Sequence, residues 1–201
     1  PNLDTNLRPL TELYRAAAAV PGVKKICIGS GIRYDILLHH SDDEPTNRSH
    51  TEYTRQLISS HVSGRLKVAP EHTSESVLNI MRKPSFRQFE QFKREFDETN
   101  RKCGLNQQLI PYFISSHPGC TEQDMAELAV ITKRLNFHLE QIQDFTPTPM
   151  TLSTEIFSTG INPYTMKPVY TARTPREKLA QRQFFFWYEP AQRKAIISEL
   201  R

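Results

Sequence analysis

Four times along the chain a short apolar run gives way to a polar turn and then to a segment whose apolar residues recur at the helical period. That alternation constrains the fold more than any other feature, because a strand followed by a helical return is the building unit of parallel α/β structure. A helix led by Pro9, with Leu10, Leu13, Tyr14 and Ala17 on one face, is broken at Pro21-Gly22. It precedes an expected strand in "KKICIG", a glycine turn, a polar stretch over residues 41–49 and a helix near Thr51 to His61. In "LKVAPEHTSESVLNIMRKP" a strand from Leu66 to Ala69 turns at Pro70 into a helix with Val77, Leu78 and Met81 inward. A second helix opens on the S-x-x-Q box of Ser85 and Gln88, buries Phe86, Phe89, Phe92 and Phe96, and stops at Gly104. "QLIPYFISSHPG" leads to a helix capped by Thr121 with Met125, Leu128, Ala129 and Leu135 inward, and "HLEQIQDF" leads through "TPTPM" to a short helix ending at Gly160.

Four strands with helical returns predict a parallel sheet with right-handed crossovers over residues 1–160. Residues 161–201 read as a turn-rich arm and a helical appendage, its first helix capped by Thr174 with Pro175 at the opening position. Pro111 removes a ladder donor, so a bulge or local irregularity is expected there.

Polar residues inside the strands carry the next inference. Side chains alternate along a strand, so Lys67, Ala69 and Glu71 share one face, and Gln141, Gln143 and Phe145 share another opposite Ile142. Strands covered on both faces read as apolar runs, and these do not. Either the side chains reach water at strand ends, or the sheet curls into a barrel or half barrel around a ligand. Their recurrence on several strands favours the second reading, in which Lys67, Glu71 and Gln143 converge on one concave surface.

Composition excludes several classes. The 201 residues are 37% hydrophobic and 24% charged, enough for a folded core, and no run of 18 apolar residues or charged-then-apolar leader is present, so a cytoplasmic protein is expected. A net charge of +4 with dispersed basic residues allows nucleic acid without implying it. Cys27, Cys103 and Cys120 form no CxxC pair and are expected to be reduced and buried, Cys27 in a packed strand layer. They lie on different elements and are not expected to converge on a cluster. The start at Pro1 and the end inside "PAQRKAIISELR" are those expected of an excerpt from a longer protein.

Individual motifs are weaker. "GSG" at Gly29–Gly31 lacks the third glycine of a dinucleotide loop, Tyr34 standing in its place. Ser30, Arg33 and Asp35 form either a ligand clamp or a local ion pair. Glu71, His72 and His117 follow strands and could serve as acid, base or ligands in an α/β barrel lyase, metal-dependent or not. Arg173, Arg176, Lys178 and Arg182 on the appendage allow an RNA-binding module, while the aromatics of "QFFFWYEP" are expected to pack the appendage.

"KVAPEHTSESVLNIMRKP", "GSGIRYD", "LIPYFISSHPGCTEQDM" and "QDFTPTPM", in that order, resemble the radical S-adenosylmethionine (radical SAM) proteins of the YgiQ family. The resemblance covers nearly the whole chain. It implies a partial TIM-like barrel, the last four βα units of a (β/α)6 radical SAM barrel, followed by the start of a carboxyl-terminal extension. It also implies a [4Fe-4S] cluster on a CxxxCxxC loop, with its cysteines upstream of Pro1, and S-adenosylmethionine cleaved to a 5'-deoxyadenosyl radical. No such loop occurs in this chain, so no metal ligand is expected within it and the isolated chain is expected to be inactive.

On that resemblance the cofactor or lumen residues are Ser30 and Arg33 at one strand end, Lys67, Glu71 and His72 at the next, Ser115 to His117 at the third, and Gln143 and Phe145 at the fourth. Arg82 or Lys83 would neutralise the cofactor carboxylate, and Glu71 would accept from its ammonium or hydroxyls. Ser116 and Cys120 stand where many relatives carry glycine and glutamate. An open edge at Lys24 to Ile28 predicts self-association.

Overall fold

The structure, a computed structural model, describes residues 4–199. Helices α1 (Arg8–Ala18), α2 (Tyr34–Leu37) and α3 (Glu44–Gln56), the last continued by a π-helical turn (Leu57–His61), precede strand β1 (Arg65–Glu71). Helices α4 (Glu75–Met81) and α5 (Phe86–Cys103) lead to β2 (Gln108–Ser115), and α6 (Glu122–Arg134) leads to β3 (Gln141–Asp144). Then come α7 (Leu152–Thr159), α8 (Pro175–Arg182), a 3-10 turn (Gln183–Phe186) and α9 (Pro190–Glu199).

The sheet has the order β1-β2-β3, and β2 runs parallel to β3 with Tyr112 opposite Gln141 and Ser115 opposite Asp144. Along β1, Leu66 and Val68 are buried while Arg65 and Lys67 are exposed, the alternation of a strand with one packed face. The protein is therefore mixed α/β with a small sheet of three strands among the described residues.

The fold differs from expectation at its first strand. Residues 24–28 form no ladder: the Ile28 N–H donates to the His61 carbonyl, and Ile32 makes a single parallel bridge to Val68. Gly29, Ser30 and Gly31 interrupt the segment where pairing with β1 would propagate, and glycine is a poor strand residue with no side chain to pack. Cys27 is consequently exposed, as is Cys103, and only Cys120 is buried. Self-association through a strand edge at residues 24–28 loses its structural basis.

Helix α3 also starts earlier than its apolar pattern indicates. Asp43 caps it by accepting from the Thr46 N–H at 3.0 Å, Pro45 suits its first turn, and buried polar side chains are satisfied, Ser49 donating to the Thr46 carbonyl. Strand β2 spans Pro111, and its register with β3 begins one residue later, at Tyr112.

Two compact units divide the chain, one of residues 1–68 with 87–110 and the other of residues 69–86 with 111–201. In the first, Phe89 and Phe92 of α5 pack against Tyr34, each with ring centroids 6.0 Å apart, over buried Leu57 and Ile58. Gly104, at φ 63, ends α5 with the Leu105 N–H on the Asn100 carbonyl. In the second, Val77, Leu78, Phe113, Met125, Leu128 and Ile156 form the core together with Phe184 and Phe185. The aromatic run thus packs the appendage, with the Trp187 indole donating to Thr132 Oγ1 at 3.2 Å. Among the described residues no helix is long and apolar enough to cross a membrane.

Candidate functional site

The second unit gathers its polar residues in the loops after β1, β2 and β3. After β1 the chain makes a three-residue turn: Glu71 takes φ 66 and the His72 N–H donates to the Pro70 carbonyl at 2.8 Å. Such a backbone is costly for a residue with a Cβ and persists only where the surroundings enforce it. The Glu71 carboxylate is buried, with Oε1 accepting from Lys83 Nζ at 2.9 Å and Oε2 left without a partner. Lys83 reaches it because α4 ends on Arg82 in the left-handed region, φ 56, with the Lys83 N–H turned back onto the Leu78 carbonyl. Arg82 faces elsewhere, its guanidinium stacked 4.3 Å over the exposed Tyr164 ring.

After β2, Ser116 sits at φ 60 and a turn follows in which the Cys120 N–H donates to the His117 carbonyl at 2.9 Å. Pro118 and Gly119, at φ 85, occupy the central positions, the type II pattern. A Cβ on Gly119 would lie 2.3 Å from Ile80 Cδ1. Gln181 of α8, fully buried, accepts from the Ser116 N–H at 2.8 Å and donates from Nε2 to the Cys120 carbonyl at 2.7 Å. Asp144 at the end of β3 accepts from Ser115 Oγ at 2.5 Å and from Arg182 at 3.3 Å.

The two histidines are neutral, and their partners fix which nitrogen carries the proton. His72 Nδ1 accepts the Ser74 N–H at 3.0 Å, so Nε2 holds the hydrogen and points it at Cys120 Sγ, 3.4 Å away. His117 is the opposite tautomer: Nδ1 donates to the Pro118 carbonyl at 2.9 Å and Nε2 accepts from Ser153 Oγ at 2.8 Å. Burial pushes both imidazoles down to about 4, His72 despite the nearby Asp124 carboxylate. Burial likewise pushes the Cys120 thiol up to about 12. The Tyr112 hydroxyl is held above its ordinary value by burial and by the charge of Glu71, and it donates to Gln143 Oε1.

Of the sequence candidates, Ser30, Arg33 and Lys67 lie in the first unit and Glu71, His72, Arg82, Lys83, Ser116, His117, Gln143 and Phe145 in the second. Arg33 forms a local ion pair with Asp35, through bonds of 2.8 and 2.5 Å, and Lys67 is exposed. The structure joins His72 to the β2 loop through Cys120, and His117 to Phe145 by an edge-to-face contact at 5.0 Å. Buried oxygens without partners occur at Glu71 Oε2, Thr73 Oγ1 and Ser116 Oγ. Sequence reasoning missed Thr73, Asp144, Ser153 and Gln181, of which only Asp144, a charge at a strand end, left a readable signal.

Three of the four appendage cations, Arg173, Lys178 and Arg182, are engaged within the unit. Arg173 donates to the Phe157 and Ser158 carbonyls at the end of α7, Lys178 lies 5.6 Å over the Phe157 ring, and Arg182 holds Asp144. Among the described residues no group of three His, Cys, Asp or Glu side chains is placed to hold a metal ion.

Residues 140–200 match the family profile DUF3362, described as a domain of unknown function. Along its whole length the chain is similar to proteins named UPF0313 protein: 69% identical to that of Bacteroides thetaiotaomicron over 201 residues, which is all of this chain and 32% of the relative. The relative from Porphyromonas gingivalis is 59% identical over 200 residues, and that from Methanosarcina acetivorans 41%, covering 32% and 26% of their lengths. The chain thus spans about a third of the length of the curated relatives it matches.

Proposed function

We propose that the loops after β1 and β2 form the protein-held side of an S-adenosylmethionine site in a radical SAM enzyme, the sheet being part of a (β/α) barrel. The observation that carries this reading is that three of the six buried side-chain oxygens without a partner among the described residues, those of Glu71, Thr73 and Ser116, fall at or just beyond the ends of the neighbouring strands β1 and β2, the others being on Gln56, Gln88 and Gln107. Native proteins leave few such atoms, because each forfeits hydrogen bonds it made in water, and a set at strand ends is accounted for by a polar ligand that completes them.

The residues fit that cofactor in kind. Glu71 Oε2 is a carboxylate acceptor for an ammonium or hydroxyl, Lys83, whose side chain is 41% exposed, can face a carboxylate, and Ser116 Oγ can take either role. His117 and Phe145 pack edge to face beside the loop. S-adenosylmethionine supplies carbon-centred radical chemistry when bound beside a reduced iron–sulfur cluster.

The cluster itself does not fit this chain. Cluster ligation needs several thiolates together. Cys27 and Cys103 are exposed in one unit, while Cys120 is a buried thiol in the other. The proposal therefore requires its cluster ligands from cysteines outside this segment.

A lyase using Glu71, His72 and His117 has less support, since both imidazoles are poor bases at about 4 and both nitrogens of each are occupied. The test is anaerobic reconstitution of the longer protein with iron, sulfide and reductant, followed by assay for 5'-deoxyadenosine. Formation by the wild type and loss in Glu71→Gln is the expected result. No deoxyadenosine from a protein carrying its cluster would overturn the proposal.

A further inference from the structure

Gln181 is the one side chain of α8 with no exposed surface, and it spends both ends of its amide on the backbone of a different element. Its Oε1 takes the Ser116 N–H and its Nε2 serves the Cys120 carbonyl, so it spans the loop as a strand neighbour would. The loop needs such a partner. Ser116 departs from β2 at φ 60, a backbone unfavourable for serine, and its N–H lies one residue beyond the last pair of the β2–β3 register. Arg182, next along α8, anchors the same helix to Asp144 and through it to Ser115.

We infer that Gln181 of the appended helix is a positioning residue, which holds the Ser116–Cys120 loop in its ligand-receiving conformation. The inference rests on the proposed S-adenosylmethionine site. It assigns the carboxyl-terminal extension, residues 161–201, a part in shaping that site rather than in packing alone. Removing the amide frees the Ser116 backbone to leave the left-handed region, which carries Ser116 Oγ and the His117 ring away from their positions.

The test measures S-adenosylmethionine affinity of the folded chain by calorimetry, well below each variant's melting temperature, with amide hydrogen exchange read in parallel. Gln181→Leu, of similar volume, should weaken binding about tenfold or more, as misplacement of a binding group does. Gln181→Glu, kept protonated by its full burial, offers one oxygen to the Ser116 N–H and an O–H to the Cys120 carbonyl, and should restore affinity to within about threefold. Leu179→Ala, on the exposed side of the same helix, should bind as the wild type. A part in stability alone would lower the melting temperature of Gln181→Leu and leave the affinity of the folded protein unchanged, which would overturn the inference. If Gln181→Leu does not fold, the wild type decides: a Ser116 amide exchanging as fast as an open loop would overturn the clamp. A wild type that binds no S-adenosylmethionine would instead overturn the proposed function, with Ser116 protection still reporting on the clamp itself.

Discussion

His72 Nε2 lies 3.4 Å from Cys120 Sγ, and the pair is neutral on both sides. A cysteine beside a histidine is the arrangement of many nucleophilic centres, but those work as thiolate and imidazolium. Here the Ser74 N–H occupies His72 Nδ1, so protonating the ring would break a bond, and burial disfavours either charge.

Cys120 is therefore inert. Cys27 and Cys103, both exposed, should be labelled by iodoacetamide in the native protein, whereas Cys120 should react only on unfolding. Peptide mass mapping over time separates the three, and rapid native labelling of Cys120 would contradict the neutral pair.

The two buried histidines make stability depend on pH. Their folded-state values near 4 lie below the ordinary 6.5, so above 6.5 neither state holds the proton. As the pH falls from 6.5 towards 4 the unfolded chain takes up protons that the folded chain refuses, and stability is lost, on the order of 3 kcal/mol for each histidine. Urea midpoints at pH 7.5, 6 and 5 should fall steadily, and His117→Gln should flatten about half of the slope. A midpoint constant from pH 7 to 5 would contradict the burial of neutral imidazoles.

Gly119→Ala should destabilise the second unit by about 1–2 kcal/mol through its positive φ. The new methyl also meets Ile80 Cδ1, the far end of a flexible side chain, which can turn aside. Adding Ile80→Ala should therefore not restore the loss. A Gly119→Ala protein as stable as the wild type in urea would refute the turn geometry.

The local grammar of the fold was legible. Thr121 with Asp124 and Thr174 with Glu177 form capping boxes, Gly104 and Gly160 end their helices in the left-handed region, and the phenylalanine stripe of α5 is buried. Residues 24–28 misled, because Ile26 and Ile28 alternate like a strand while the ladder that would make them one depends on neighbours no local pattern reports. Helix α3 was obscured for the opposite reason: its buried Thr46, Ser49 and His50 are polar, so no apolar period announces it. At the site, Glu71 and His117 could be found from their place after strands. Gln181 could not, since an amide on a polar helix gives no sign that it will bond a backbone 61 residues away.

The central claim is that the buried Glu71 carboxylate, steadied by Lys83, receives S-adenosylmethionine at the strand ends. Calorimetric titration of S-adenosylmethionine into the 201-residue chain tests it most directly. The account predicts saturable binding by the wild type and a loss of about tenfold or more in Glu71→Gln, the effect of removing one charge-assisted hydrogen bond. Absence of binding by a folded wild-type chain, or equal affinity in Glu71→Gln, would contradict it.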